Sequence, residues 1–128
     1  HVGRSDIACA AAREALGPDA IVGVSAHTVE EALAAQAAGA DYLGVGALFG
    51  TSTKSDTVAV SLGGLARICA AVDIPVTAIG GVSARTMGSL AGTGVDGAAV
   101  VSAIFAAEDI EAATRELRRL AEGAVESR

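Results

Sequence analysis

Four times along this chain a short apolar run carries glycine or serine in its second half, and a segment with helical spacing follows. The runs are "AIVGVSA" at 20–26, "DYLGVG" at 41–46, "IPVTAIGG" at 74–81 and "GAAVVSAI" at 97–104. They are continuously apolar rather than alternating, which is the pattern of strands covered on both faces in a parallel sheet. Pro75 stands at the start of its run, where a missing N–H is tolerated. Strand and helix alternate without a break, so the fold class is α/β, built of parallel βα units of about 30 residues.

The helical segments carry their own punctuation. Thr28 followed by Glu31 reads as a capping box, and Val29, Ala32, Leu33 and Ala37 recur at helical spacing up to a stop at Gly39. Further helices are expected over 7–16, 62–72, from a Ser83 cap to about 91, and over 109–122. In the last of these Leu117 and Leu120 face inward, with Glu111, Glu116, Arg118 and Arg119 outward.

The 128 residues suit one domain, and no linker or low-complexity segment divides them. Hydrophobic residues make up 52%, yet there are one Tyr, two Phe and no Trp, so Ala, Val, Leu and Ile must build the core. The net charge of −6 argues against nucleic-acid or membrane surfaces as partners. No apolar run approaches the roughly 18 residues of a membrane span. Cys9 and Cys69 stand alone, without metal spacing, and read as reduced thiols of a cytoplasmic protein. The opening "HVGRSD" reads as a strand end and its loop, so the chain is expected to begin inside a larger fold.

Two α/β architectures compete. A doubly wound sheet carries its phosphate loop after the first strand, and nothing here matches that well. A (β/α)8 barrel binds phosphate with the loops after its last two strands. "IGGVS" and "VVSAI" close the last two strands here, which favours a TIM-type barrel. Such a barrel needs about 250 residues, so this chain would supply its second half as a single partial domain, 1–128.

Several residues carry possible chemistry. Gly80 and Gly81 end a strand, either as a tight turn with positive φ or as amides open to an anion, beside a helix start at Ser83. Val101 and Ser102 end the next strand, and their amides with the Ser102 hydroxyl make either an anion cradle or a plain strand end. Thr51, Ser52, Thr53 and Lys54 offer three hydroxyls and an ammonium, a set that suits phosphate oxygens. Asp6 follows a strand end, as an N-cap or as a Mg²⁺ ligand. Ser25 and His27 close another strand, and no Cys or acid motif makes a triad with His27, so a structural role for that ring leads.

Taken together, "HVGRSD", "GVSAHTVEEA", "GADYLGVG", "TSTK", "IPVTAIGGV" and "GVDGAAVVSAI" resemble thiamine phosphate synthase along the whole chain in one order. The resemblance implies a (β/α)8 barrel, a transferase of thiamine biosynthesis. That family joins hydroxymethylpyrimidine diphosphate to a thiazole phosphate, with Mg²⁺, and releases pyrophosphate. By resemblance Asp6 is a metal ligand, Ser25 and Lys54 lie on the diphosphate side, and Thr51, Thr53, Gly81, Val101 and Ser102 hold the thiazole phosphate. Arg4 stands where the family has Gln, and Ala47 and Gly50 stand where it has prolines. The family barrel begins three strands earlier, with further diphosphate residues and a second metal ligand. Competing expectations are a thiazole tautomerase of the same superfamily, using His27 as proton carrier, and an inactive remnant that binds phosphate ligands. Asp6 and "TSTK" favour the synthase. The expected partners are phosphorylated small molecules, and an apolar inner face would drive self-association or union with an N-terminal half.

Overall fold

The computed structural model describes residues 1–50 and 59–127. Four parallel strands, β1 (Gly23–Ala26), β2 (Tyr42–Val45), β3 (Val76–Ile79) and β4 (Gly97–Ala99), pair in chain order. The helices are α1 (Cys9–Leu16), α2 (Val29–Ala37), α3 (Leu62–Ala71), the single turn α4 (Ser102–Phe105) and α5 (Ile110–Glu126). The α/β class and the parallel sheet are as the strand pattern requires. Val2 lies beside Val24 in a parallel bridge, so the opening residues run along the β1 edge.

The register sorts the side chains into two faces. Val24, Ala26, Leu43, Val45, Val76, Ala78 and Ala98 share one, and all join the core cluster with Cys9, Ala12, Ala32, Ala35, Leu65, Ile68 and Leu117 of the helices. Leu43 and Leu65 are fully buried, each worth about 1.5–3 kcal/mol by transfer from water. With Ala32 and Ala35 at the contact positions, the α2 backbone can lie close to the sheet. Leu33, expected on that face, is 43% exposed. The buried stripe steps through Ala32 and Ala35, and Leu33 lies off it.

The other face carries Gly23, Ser25, Tyr42, Gly44, Thr77, Ile79, Gly97 and Ala99. It is small and partly polar, so the expected apolar inner layer is revised. Ile79 is its one exposed large hydrophobic residue within the strands.

Local chemistry explains the helix boundaries. Thr28 Oγ1 accepts from Glu31 N, Ser61 Oγ from Gly64 N, and Asp109 Oδ1 from Ala112 N, each a cap on an otherwise unpaired amide. The helix expected after Ser83 is instead a turn and a short 3₁₀ segment, Met87–Leu90. Ser83 N donates to Thr86 Oγ1, and Thr86 and Met87 amides both reach Ser83 O. Side-chain hydroxyls thus compete with the α-helical pattern, and Gly88 and Gly92 weaken what remains. The strand expected over 97–104 stops at Ala99. Val101 leaves the extended region, and its carbonyl accepts from Ile104 and Phe105. An apolar run of that length does not distinguish strand from helix.

A repeat unseen in the sequence pattern ties the bottom of the sheet together. Asp41 N donates to Val22 O while Val22 N donates to Asp41 Oδ2. Asp96 and Val76 make the same reciprocal pair. In each case a "G-x-D" turn, 39–41 or 94–96, returns the chain to the preceding strand. Arg13 adds to the first clasp by donating to the carbonyls of Gly17, Ala20 and Gly39 and to Asp41 Oδ2.

Two outcomes follow from the clasps. Asp96→Ala strips the acceptor from the amide of buried Val76, and urea unfolding should show a loss of about 1–3 kcal/mol, with Asp96→Asn closer to wild type because its amide oxygen still accepts. For Asp41, the Val22 amide and then the Arg13 guanidinium hold the carboxyl below its ordinary value of 3.8. A lowered folded value means that stability is full above the unfolded value and drains as pH falls through the folded one. Melting temperature against pH should therefore drop more steeply below pH 4 in wild type than in Asp41→Asn, and equal slopes would contradict this role.

Candidate functional site

In a parallel sheet all strand C-termini lie at one end, and the loops leaving them form a common surface. That surface gathers the turn 3–6, the end of β1, the segment 47–50 after β2, Gly80–Gly81 after β3, and Val101–Ser102 after β4.

Asp6 closes a reciprocal turn: its amide donates to Gly3 O, and Gly3 N donates to Asp6 Oδ2 at 2.6 Å. The cap expected on the following helix is thus made to the turn itself, while α1 starts later, at Cys9, without a side-chain cap. Gly3 sits between the Asp6 carboxylate and the Ser25 hydroxyl, 3.3 and 3.9 Å from where its Cβ would be. A carboxylate and a hydroxyl therefore stand together above the end of β1. Among the described residues no group of three His, Cys, Asp or Glu could hold a metal. Gly3 N orients Asp6 Oδ2, and a single carboxylate is the donor type that a hard cation takes.

Ser25 is paired further inward. His1 Nε2 lies 3.0 Å from Ser25 Oγ, and His1 Nδ1 lies 3.0 Å from Tyr42 Oη. The sequence pattern did not single out His1 or Tyr42 as site residues. The signal available was glycine on neighbouring strands: a Cβ at Gly23 would collide with the Tyr42 ring, and one at Gly44 would press on the His1 ring.

Gly81 has φ +66° and Gly80 φ +99°, so the tight turn is real. A Cβ on Gly81 would also strike the Gly50 carbonyl oxygen. Leu48 N and Phe49 N donate to Ile79 O and Gly80 O, which lays the segment 47–50 along the end of β3. Gly81 is thus the floor under the approach to the hydroxyl-rich stretch. Thr51, Thr53 and Lys54 lie outside the described residues. Val101 and Ser102 are exposed at the start of α4, and Val101 is the residue just before its first turn.

His27 is held by Glu31, whose Oε2 accepts from His27 N at 2.7 Å and lies 3.0 Å from Nδ1. Burial works to raise the Glu31 carboxyl, but the hydrogen bonds from the His27 backbone and ring, with the charges of His27 and Arg4, bring it below its ordinary value. This ties His27 to the start of α2, the structural role expected for it. Neither Cys9 nor Cys69 is in a disulfide, and Cys9 Sγ lies 3.7 Å from Ala38 O. Among the described residues no helix is long and apolar enough to cross a membrane.

Known proteins resemble this chain in sequence and in fold. The profile of the family "Thiamine monophosphate synthase" matches residues 1–104. The thiamine-phosphate synthase of Ruminiclostridium cellulolyticum is 51% identical over 117 residues, which are 91% of this chain and 56% of that protein. That of Clostridium acetobutylicum is 51% identical over 111 residues, 87% of this chain and 53% of its own. The solved structure of a thiamine phosphate pyrophosphorylase from Pyrococcus furiosus superposes with a TM-score of 0.88 at 43% identity, covering 97% of this chain and 59% of that one. The chain spans a little over half the length of each of these relatives. By sequence and by fold, it belongs to the thiamine monophosphate synthase family.

Proposed function

We propose that the protein condenses hydroxymethylpyrimidine diphosphate with thiazole phosphate, giving thiamine phosphate and pyrophosphate. The observation that carries this reading is the gathering of Asp6, Ser25, the segment leading to Thr51, Gly81 and Val101–Ser102 at one end of the sheet, in a chain 51% identical to named synthases. In the proposed barrel this chain supplies the last four strands. The edge of β4 and the edge beyond Val2, which itself borders β1, are then covered, by further strands of the same protein or by a second copy.

The chemistry is a substitution at the methylene carbon of the pyrimidine. The bond from that carbon to the diphosphate oxygen breaks, and pyrophosphate takes the electron pair. The thiazole nitrogen then forms the new bond and becomes the thiazolium. No side chain is needed as nucleophile. Lys54, assigned to the diphosphate by the family resemblance, would neutralise charge as it grows on the leaving oxygen. Ser25 donates its hydroxyl proton to a diphosphate oxygen. Thr51 and Thr53, with the amides at Gly81 and Val101–Ser102, hold the thiazole phosphate so that its nitrogen faces the carbon. Mg²⁺, when bound, adds positive charge against the diphosphate, and Asp6 is the described residue that would hold it.

The test supplies both substrates and Mg²⁺ to the protein and follows thiamine phosphate and pyrophosphate, which should appear one for one. Lys54→Ala should lower kcat about 10²- to 10³-fold, the cost typical of a lost electrostatic donor. Absence of product, or an unchanged rate in Lys54→Ala, would overturn the reading. Gly81→Val does not isolate the anion contact, because its side chain meets the Gly50 backbone first. Ser102→Ala is the cleaner probe, and should raise KM for thiazole phosphate by about threefold to tenfold, the worth of one hydrogen bond, with the diphosphate KM unmoved.

A further inference from the structure

We infer that Tyr42 and His1 are positioning residues for the Ser25 hydroxyl, forming a one-way hydrogen-bond chain that aims the Ser25 proton at a diphosphate oxygen. The inference rests on the reading of Ser25 as a diphosphate contact. Three side chains far apart in sequence meet on the open face of the sheet: Tyr42 Oη to His1 Nδ1 at 3.0 Å, and His1 Nε2 to Ser25 Oγ at 3.0 Å.

The two rings are seated rather than draped. Their centroids lie 5.6 Å apart at 42°. Gly23, in register with Tyr42, gives the space that the phenol ring fills. Gly44, in register with Ser25, gives the space beneath the imidazole. Any side chain at Gly23 would collide with the Tyr42 ring, and one at Gly44 would crowd His1, so the backbone of two strands is shaped to this pair.

Proton counting selects the direction. A neutral imidazole has one donor and one acceptor nitrogen. If Ser25 gave its proton to His1 Nε2, its oxygen lone pairs would face the incoming diphosphate, which is repulsive. The arrangement that accepts an anion is the reverse. Tyr42 donates to Nδ1, Nε2–H donates to Ser25 Oγ, and the Ser25 proton is free for the anion. Each bond polarises the next, so the serine becomes a better donor than it would be alone. The ligand therefore selects the Nε2–H tautomer of His1.

The probe is inorganic pyrophosphate, titrated into the full protein at pH 8, well above the ordinary imidazole value of about 6.5. With pyrophosphate bound, imidazole ¹⁵N shifts of His1 should report a protonated Nε2 and a bare Nδ1; the opposite tautomer would overturn the inference without any variant. Ser25→Ala should weaken pyrophosphate binding about tenfold, and His1→Leu by a similar factor, as expected for a lost bond to a charged group. His1→Gln, whose amide can stand in for Nε2–H, should remain within about twofold of wild type, and Tyr42→Phe should cost about threefold, the worth of a neutral hydrogen bond. Adding His1→Leu to Ser25→Ala should cost almost nothing more, since the two act as one unit. Thiazole phosphate affinity should stay constant throughout, which excludes general damage. If Ser25→Ala leaves pyrophosphate affinity unchanged, the diphosphate reading of Ser25 is wrong. If Ser25→Ala weakens binding while His1→Leu does not, or if the double variant is additive, that reading stands and the positioning chain is wrong.

Discussion

Everything at the functional end of this sheet depends on strand register, and register is secured at the opposite end by two aspartates. Asp41 exchanges a pair of hydrogen bonds with Val22, the residue just before β1, and Asp96 exchanges a pair with Val76, the first residue of β3. A slip of one residue in a strand would exchange its faces. Ser25 and Thr77 would then turn into the core and Leu43 or Ala78 outward. Burial already penalises that slip, and the clasps add a directional bond at the point where each strand begins. Arg13 extends the first clasp to α1 and to the turns on either side of it. A single guanidinium thereby satisfies three carbonyls that helix and strand ends would otherwise leave to water.

A core without large aromatic side chains has a structural consequence. With alanines on the buried stripe of α2, helix and sheet can lie close, and small residues on the opposite face leave room for polar groups. The open face holds hydroxyls, a histidine and a tyrosine where a packed apolar layer was expected. Such a face suits a polar, anionic ligand better than it suits a second sheet. The glycines serve this purpose in different ways. Gly81 lets two backbones meet, 47–50 and the end of β3, while Gly23 and Gly44 give up their side chains to ring systems from other residues.

The surface proposed for phosphate recognition draws on groups that no single loop provides. The turn 3–6, the end of β1, the segment after β2 and the ends of β3 and β4 all arrive at one surface because the strands run parallel. This is the general advantage of parallel α/β folds: the frame is carried by the core and the clasps, and the loops are left for chemistry.

The amino-acid sequence by itself determined the class of fold, the order of its parts and most helix starts, because these depend on local pattern. The continuous apolar runs required buried parallel strands, Thr28 capped the helix it was expected to cap, and Leu117 turned inward. It also marked Asp6, Ser25, Gly81, Val101 and Ser102, which the structure places at strand ends on one surface. What it left open were features that depend on partners distant along the chain. The apolar stretch after Ala99 turned into a helix once Val101 left the extended region, and the hydroxyls of Ser83 and Thr86 diverted a helix into a 3₁₀ turn. The meeting of His1 with Ser25 and Tyr42 spans 24 and 41 residues, and it exists only when β1 and β2 lie in one particular register. Only the tertiary structure decided that, because a hydrogen bond between side chains needs its atoms within about 3 Å, and no local pattern fixes the distance between two strands.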